Sequence, residues 1–348
     1  MKKYLSILLV LVCVLLTACG NQQNTSQESN LPESTPTEST PPESLENNTS
    51  DAEVSGYPFT LTIYDAEGKS YEETFESAPE RVVTTTTSAA ELLIALGLQD
   101  KIVGIITPDN AVPEEISGIF ASFNDLGDKK TLSKEVIVAA EPDFVIGRVA
   151  NFTEETSIDS YADLGILSYT QMNGNEKVSD QPDALIDDIL NLGRIFGVDE
   201  TAQSYADELK ARLEAIRTEI AGADSDTALR TMFMVNFRDG TFGVMNGALQ
   251  DNIVAMLGCE DVVEAGSNGL TYENLIAYNP DIIFYISADR NSATDATAID
   301  TLLNEEAIAT IPAIAGNRIM TIKYDEIMDV GPRLYDTIEA MYTFIYGD

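Results

Sequence analysis

Three arginines stand directly after apolar segments that the sequence predicts to be buried strands. Arg148 follows DFVIG, Arg238 follows FMVNF, and Arg290 follows FYISAD. A guanidinium stays charged and pairs through two hydrogen bonds with carboxylate or catecholate oxygens. Because the chain has 20 Lys and Arg against 58 Asp and Glu, these arginines are informative, and they suit an anionic ligand. The alternative is that each forms a surface ion pair with a nearby acid, which contributes little stability.

Other polar and aromatic side chains follow predicted strands in the same way. An open α/β sheet places its ligand at the carboxyl ends of its strands. For Met172, Phe242 and Tyr324 the alternative is burial in the core. The predicted ligand-binding residues are Thr86, Thr87, Ser88, Arg148, Met172, Arg238, Phe242, Arg290, Tyr324 and Asp325.

A sixteen-residue segment occurs twice, as LSKEVIVAAEPDFVIG at 132–147 and as LTYENLIAYNPDIIFY at 270–285. Each copy reads as a short helix with a hydroxyl N-cap, Ser133 or Thr271, and an acidic residue in its first turn. A proline then ends the helix and an apolar run follows, which predicts a buried strand. A helix leading into a buried strand indicates a parallel sheet. Two such units predict two similar lobes.

The elements between these segments predict a fold of two similar three-layer α/β lobes with mainly parallel sheets, joined by one long α-helix. The apolar spacing from Asp199 to Ala221 indicates that helix. We divide the chain into a signal peptide (1–18), a lipidated cysteine with a disordered tether (19–55), an N-terminal α/β lobe (56–197), a linker helix (198–222) and a C-terminal α/β lobe (223–348).

The start of the chain predicts export and a lipid anchor. Two lysines precede an apolar run that is too short to span a membrane well, which is typical of a signal peptide. The run ends in LTAC, which resembles the lipobox of bacterial lipoproteins and makes Cys19 the lipidation site. An ordinary secretory signal is the alternative. The polar segment that follows is typical of a disordered tether, so we expect the protein on the extracellular face of the cell membrane.

The composition excludes several classes of function. A formal net charge of -38 makes nucleic acid an improbable partner, since binding it requires a basic face. The absence of histidine argues against a binder of bare zinc or manganese. A carboxylate-based surface hydrolase and an adhesion or scaffold lipoprotein stay open as alternatives, but the sequence carries none of the common catalytic motifs. We therefore expect neither catalysis nor a bound cofactor.

Several motifs in order give the chain a family resemblance: APERVVTTTTSAAELLIALG, EVIVAAEPDFVIG, GALQDNIVAMLG, YENLIAYNPDIIF and GNRIMTI with GPR. From about Ala78 onward it resembles the substrate-binding lipoproteins of ABC importers that capture iron siderophores, haem or cobalamin. The resemblance implies two α/β lobes joined by one long helix, a monomer, and a small-molecule metal chelate bound between the lobes.

The resemblance also implies a role for the repeated segment. In this family each lobe carries one exposed glutamate that pairs with arginines of the permease dimer, and by position these are Glu135 and Glu273. The alternative is that both only stabilise the start of a helix. For the ligand, the expected order is a ferric siderophore first, a corrinoid second and haem third.

Overall fold

The computed structural model describes residues 56–172, 174–178, 182–221 and 228–347. The predicted signal peptide, Cys19 and the whole of the predicted tether lie outside these residues. Within the described residues, no helix is both long and apolar enough to cross a membrane.

Strands and helices alternate along most of the described chain. The strands are β1 (Phe59–Tyr64), β2 (Ser70–Phe75), β3 (Val82–Thr84), β4 (Ile102–Ile105), β5 (Phe144–Arg148), β6 (Leu167–Gln171), β7 (Leu229–Arg238), β8 (Thr241–Met245), β9 (Cys259–Asp261), β10 (Ser267–Leu270), β11 (Ile282–Ser287) and β12 (Ile319–Lys323). The helices are α1 (Thr87–Ala95), α2 (Glu114–Phe120), α3 (Lys134–Ala139), α4 (Ile158–Ala162), α5 (Ala184–Phe196), α6 (Asp199–Ala221), α7 (Ala248–Met256), α8 (Tyr272–Tyr278), α9 (Ser292–Leu303), α10 (Pro312–Ala315), α11 (Tyr324–Ile327) and α12 (Arg333–Tyr346).

The first lobe is built on a parallel sheet with the strand order β4-β3-β5-β6. Its central strands are almost fully buried, as their continuous apolar runs predict. The hairpin of β1 and β2 precedes this sheet and contacts it where the Thr170 hydroxyl donates to the Tyr64 carbonyl at 2.6 Å. The predicted parallel α/β lobe is confirmed.

The second lobe has a mixed sheet. Its order is β10-β8-β7-β11-β12, with β9 also paired to β7, and β8 and β10 run antiparallel to their neighbours. The sequence analysis did not foresee β8. The missed signal is the dipeptide Asp239-Gly240, both with positive φ, which makes a two-residue hairpin turn between Arg238 and Thr241.

The predicted linker is confirmed as a single helix, α6, over Asp199–Ala221. Its buried face consists of small and aliphatic residues spaced for one side of a helix, from Ala202 to Ile216. It contacts α12, where Arg212 pairs with Asp336 and with Glu339. The C-terminal helix α12 therefore packs against the linker helix and forms ion pairs with it.

A second stretch of chain also connects the lobes. After β12 the chain runs through α11 to the start of α12, and there it contacts the first lobe. The Gln171 side-chain amide donates to the Val330 carbonyl at 3.3 Å, and the Tyr335 hydroxyl donates to the Pro182 carbonyl at 3.2 Å. A Cβ at Gly331 would lie 2.5 Å from the Cβ of Ser88, so only glycine permits this close approach.

The repeated segment forms the same structure in both lobes. Helices α3 and α8 are followed by Glu141 and Asn279, both in the left-handed region, with φ of 52° and 45°. Next to each, an arginine at the start of a neighbouring strand donates to the last helical carbonyls. Arg81 reaches Ala140 and Glu141 at 2.7 and 2.5 Å, and Arg230 reaches Tyr278 at 2.6 Å.

In each copy the end of the helix is joined to the neighbouring strand, and we call this contact the junction. The aspartate after each proline is part of it. Asp143 accepts backbone N–H groups of Glu80 and Arg81, both at 2.9 Å, and Asp281 accepts the N–H of Arg230 at 2.9 Å. The backbone N–H groups of Asp143 and Asp281 donate in return to the carbonyls of Arg81 and Arg230. The Pro-Asp pair thus joins the end of a helix to the sheet in each lobe.

Candidate ligand-binding cleft

Three adjoining cavities form a cleft at the carboxyl ends of both sheets. Their volumes are about 320, 260 and 120 Å³. The two larger cavities share Tyr324, the two smaller share Arg148, and the largest and smallest share Met245 and Asn246. The shared residues show that the cavities are compartments of one cleft.

The cleft residues come from strand ends, as the rule for open α/β sheets requires. Arg148 is the last residue of β5, Tyr324 directly follows β12, and Arg290 lies in a short 3₁₀ turn after β11. Asn246 directly follows β8. First-lobe and second-lobe residues therefore meet in one place.

Tyr324 lies between two positive side chains. The Lys129 ammonium is 4.5 Å from the centre of its ring, and the Arg290 guanidinium is 4.8 Å from it. Cations at these distances are attracted to the electron-rich face of an aromatic ring. Because Lys129 belongs to the first lobe and Arg290 to the second, Tyr324 marks where the two lobes meet.

Every positive side chain in this group has a carboxylate partner. Lys129 and Arg290 both form ion pairs with Asp109. Arg148 lies 3.6 Å from Asp329, and Lys129 lies 4.0 Å from the same carboxylate. The side chain of Asp329 is only 2% exposed. The cleft is therefore lined by paired charges, and not by free cations.

The loop after β4 holds the lobes together beside these ion pairs. The backbone N–H groups of Asn110 and Ala111 donate to Asp325 and Asp289 at 2.9 and 2.8 Å. The Asn110 side-chain amide donates to the Ser287 carbonyl at 3.3 Å. Burial raises the pKa of Asp325 to about 7, and the neighbouring Asp329 carboxylate adds to the rise.

Three carboxylates of this region, those of Asp109, Asp325 and Asp329, have oxygens within 4.8 Å of one another. Oxygen ligands in such a group suit a hard cation. Here Lys129, Arg148 and Arg290 already compensate the charges of Asp109 and Asp329. We therefore interpret the cluster as an ion-pair network. Asp325 and Asp329 are 1% and 2% exposed, so they are poorly placed as the acid and base of a surface hydrolase.

The remaining lining combines amides with apolar side chains. The 320 Å³ cavity of the cleft has Asn236, Asn246, Asn268 and Asn291 on its wall, together with the apolar residues Val235, Val244, Met245 and Ile286. Side-chain amides both donate and accept hydrogen bonds. This wall suits a ligand with many carbonyl or other uncharged oxygen groups.

The structure places three of the predicted site residues in the cleft: Arg148, Arg290 and Tyr324. Asp325 is next to Tyr324 but is buried in the contact between the lobes. Arg238 is exposed at the β7–β8 turn and lines none of the three cavities. These positions leave the binding roles as predictions.

The other predicted site residues line none of the three cavities, which corrects their placement in the cleft: Thr86, Thr87, Ser88 and Phe242 are buried, and Met172 is half-buried. Thr86, Thr87 and Ser88 are at most 2% exposed. Thr86 caps α1 and its hydroxyl contacts Gln171, and Gly331 of the α11–α12 connection packs against Ser88. Phe242 belongs to the second-lobe core. The backbone N–H of Met172 donates to the buried Asp188 at 2.7 Å, and its sulfur contacts Asn191. Neither Met172 nor Phe242 lines the three cavities.

Sequence analysis missed Asp109, Lys129, Asp329 and the asparagine wall. For Asp109 a signal was present, since it comes soon after the strand IVGIIT and the strand-end rule applies to it equally. For the asparagines the signal was the Asp239-Gly240 hairpin turn. Lys129 and Asp329 follow no strand directly, and their pairing depends on contacts between distant segments.

Glu135 and Glu273 are both exposed, in the first turns of α3 and α8. Hydrogen bonds hold the pKa of each below its usual value. For Glu135 the main cause is its own backbone N–H, followed by the Ser133 hydroxyl, and for Glu273 it is the Thr271 hydroxyl, at 2.5 Å, followed by its own N–H. Both are therefore accessible and charged.

Comparison with known proteins agrees with this architecture. The profile of the family described as periplasmic binding protein matches residues 82–326. An uncharacterised ABC transporter substrate-binding lipoprotein of Bacillus subtilis, YvrC, is 22% identical over 343 residues, covering 98% of this chain and 96% of that protein. A cobalamin-binding protein of Halobacterium salinarum is 23% identical over 273 residues, covering 77% of this chain and 70% of that protein.

A solved structure shares the fold at similar identity. It is the crystal structure of an ABC-type Fe3+-hydroxamate transport system from Saccharomonospora viridis, with a TM-score of 0.67, 19% identity, and coverage of 84% of this chain and 100% of that one. The family profile extends over more than half of the chain and includes both sheets. The chain therefore belongs to the periplasmic binding protein family, as its motifs predict.

Proposed function

We propose that this protein is the solute-binding component of an ABC importer, that it captures an iron(III)-siderophore-type chelate, and that it does not catalyse a reaction on it. Glu135 and Glu273 present the loaded protein to the permease dimer, and a lipid on Cys19 holds it at the extracellular face of the membrane. The observation that carries the proposal is the convergence of Arg148, Arg290, Tyr324 and the asparagine wall on one cleft.

The chemistry of the cleft supports an oxygen-rich ligand. Guanidinium, amide and phenol groups all donate hydrogen bonds, and they lie beside apolar side chains in the 320 Å³ cavity. A cavity that is mostly apolar with a few convergent polar groups is typical of small-molecule sites. The structural likeness to an Fe3+-hydroxamate transport component supports the same ligand class.

A corrinoid is the second candidate. The observation in its favour is the cobalamin-binding relative from Halobacterium salinarum, which matches 77% of this chain. The amide wall would also suit the amide side chains of a corrin ring. Haem ranks third.

Titration calorimetry with a ferric trihydroxamate, a ferric tricatecholate, cobinamide and haem tests the proposal. We expect the tightest binding for a ferric siderophore, and thermal stabilisation of about 2.7 kcal/mol at 100 times its Kd. Tyr324→Ala should weaken binding by about tenfold or more, because it removes the aromatic group at the centre of the cleft. Arg238→Ala is the matched control, since Arg238 is exposed outside the cavities.

Two outcomes would contradict the proposal. Tight cobinamide binding with no response to either ferric siderophore would favour the corrinoid. Failure to bind all four chelates would remove the whole ligand class.

A further inference from the structure

We infer that Asp329 determines the charge of the ligand: by pairing with Arg148 and Lys129 it reserves the cleft for uncharged chelates and excludes anionic ones. The inference rests on the proposed function, because it concerns which chelates the same cleft accepts. It reverses the expectation from sequence, in which unpaired arginines attract an anion.

The first step is the position of Asp329 relative to the cations. Its carboxylate is 3.6 Å from Arg148 and 4.0 Å from Lys129, and it is a wall residue of the 260 Å³ cavity. One carboxylate therefore faces both first-lobe cations of the cleft. Asp109 performs the same neutralisation for Arg290 on the second-lobe side.

The second step is that Asp329 cannot easily move away. It follows α11 and precedes Val330, whose φ is 44° and whose carbonyl accepts the Gln171 amide at 3.3 Å. Gly331 packs so closely against Ser88 that a Cβ at this position would lie 2.5 Å from the Ser88 Cβ. The two residues directly after Asp329 are therefore held against the first lobe, so the negative charge stays beside Arg148 when a ligand enters.

The third step is the energetic consequence for an anion. To bind Arg148, an anionic ligand would compete with a carboxylate that is 2% exposed. Displacing that carboxylate would leave a buried charge without its partner, which is strongly unfavourable. Glu176 lines the 120 Å³ cavity beside Arg148 and adds further negative charge. An uncharged ligand needs no such displacement and can bind the amide wall.

The fourth step is the specific effect of removing the charge. Asp329→Asn keeps the side-chain size and releases Arg148 from its counter-ion, while Lys129 keeps its ion pair with Asp109. A charge-assisted hydrogen bond to an anion then becomes available. We expect the affinity for a ferric tricatecholate, which is anionic, to rise about tenfold to a hundredfold. The affinity for an uncharged ferric trihydroxamate should change by less than about threefold.

The experiment is calorimetric titration of the wild type, Asp329→Asn, and Asp329→Asn with Arg148→Gln, using both chelates at low and high salt. The double variant should lose the gain, and the gain should shrink as salt increases. Asp300→Asn, on the exposed face of α9, removes the same charge elsewhere and should leave the preference unchanged. Asp109→Asn provides a second test, because it frees Arg290 in the same way.

The inference is overturned if the wild type binds the tricatecholate as tightly as the trihydroxamate, or if both aspartate variants keep the wild-type preference. A purely structural role for Asp329 would weaken both chelates together, which also overturns it. Failure of the proposed function looks different, since the wild type would then bind neither chelate.

Discussion

The two copies of the repeated segment have the same junction between helix and sheet, but their apolar side chains have different surroundings. In both, an aspartate after the proline and an arginine from the neighbouring strand lock the helix to the sheet. In the first copy, Leu132 and Ile137 also line the 260 Å³ cavity. In the second, Leu270 and Leu275 belong to the second-lobe core. Both copies thus share the junction, but of the two copies only the first contributes residues to the three cavities of the cleft.

The repeated segment therefore has two separate features: the junction of helix and sheet, which both copies form, and the contact with the cleft, which the first copy makes. The same geometry at both junctions gives the two exposed glutamates similar surroundings. This similarity suits the proposed docking to a permease of two subunits. Because the first copy borders the cleft, α3 connects the proposed docking residue Glu135 to residues that line the cleft. The second lobe instead contributes the amide wall, through the β7–β8 hairpin that the first sheet lacks.

The largest effect should follow from reversing both glutamate charges. We expect Glu135→Arg with Glu273→Arg to reduce uptake through the cognate permease by at least about tenfold, because like charges at an interface repel strongly. Chelate affinity should stay within about threefold, since neither residue lines the cavities. Uptake of radiolabelled ferric chelate and calorimetry measure the two quantities.

The control for this pair is Glu115→Arg with Glu200→Arg, which makes the same change at exposed first-turn glutamates of α2 and α6. Single reversals test the equivalence of the copies. If only one of Glu135 and Glu273 matters for uptake, the two copies do not share the docking role.

A smaller effect should separate the two junction aspartates. Asp143 accepts two backbone N–H groups and Asp281 accepts one. Since hydrogen bonds to a charged group contribute about 1.5 to 3 kcal/mol and less when exposed, we expect Asp143→Ala to cost about 2–3 kcal/mol and Asp281→Ala about 1–2 kcal/mol. Urea unfolding measures both. Equal losses would mean that the backbone, and not the aspartate, maintains the junction.

Local patterns were sufficient for the repeated elements. The N-cap hydroxyls, the proline stops and the apolar runs predicted α3, β5, α8 and β11 because each depends on neighbouring residues. The linker helix was equally readable, since its apolar spacing continues unbroken over Asp199–Ala221. These features need no knowledge of distant contacts.

The residues of the cleft could be predicted only in part, because contacts between distant segments of the chain determine which side chains line it. The strand-end rule selected Arg148, Arg290 and Tyr324, which line the cleft, and also Thr86, Thr87 and Ser88, which are buried. Those three are buried, and the α11–α12 connection that packs against Ser88 lies more than 200 positions away in the sequence. The ion pair of Arg148 with Asp329 has the same origin. Spacing along the chain cannot reveal which charges will be neutralised.

The smallest effect concerns a third aspartate that accepts a backbone N–H, in a buried setting. Asp325 accepts the Asn110 N–H at 2.9 Å, as Asp143 and Asp281 accept theirs, but burial and Asp329 raise its pKa to about 7. Between about pH 4 and 7 the folded chain holds this proton and the unfolded chain does not. The contribution of Asp325 to the free energy of unfolding therefore falls as pH rises through that range and stays low above it.

Asp325→Asn removes the charge while its amide oxygen can still accept the Asn110 N–H. We expect the variant to match the wild type near pH 4 and to exceed its free energy of unfolding by about 1–2 kcal/mol at pH 8. The full shift would correspond to about 4 kcal/mol, but the introduced amide N–H groups must find acceptors in the buried contact. Urea unfolding across this pH range gives the difference curve. A constant difference, or one that grows toward acid, would show that Asp325 resembles the junction aspartates and that its burial does not disfavour the charged form.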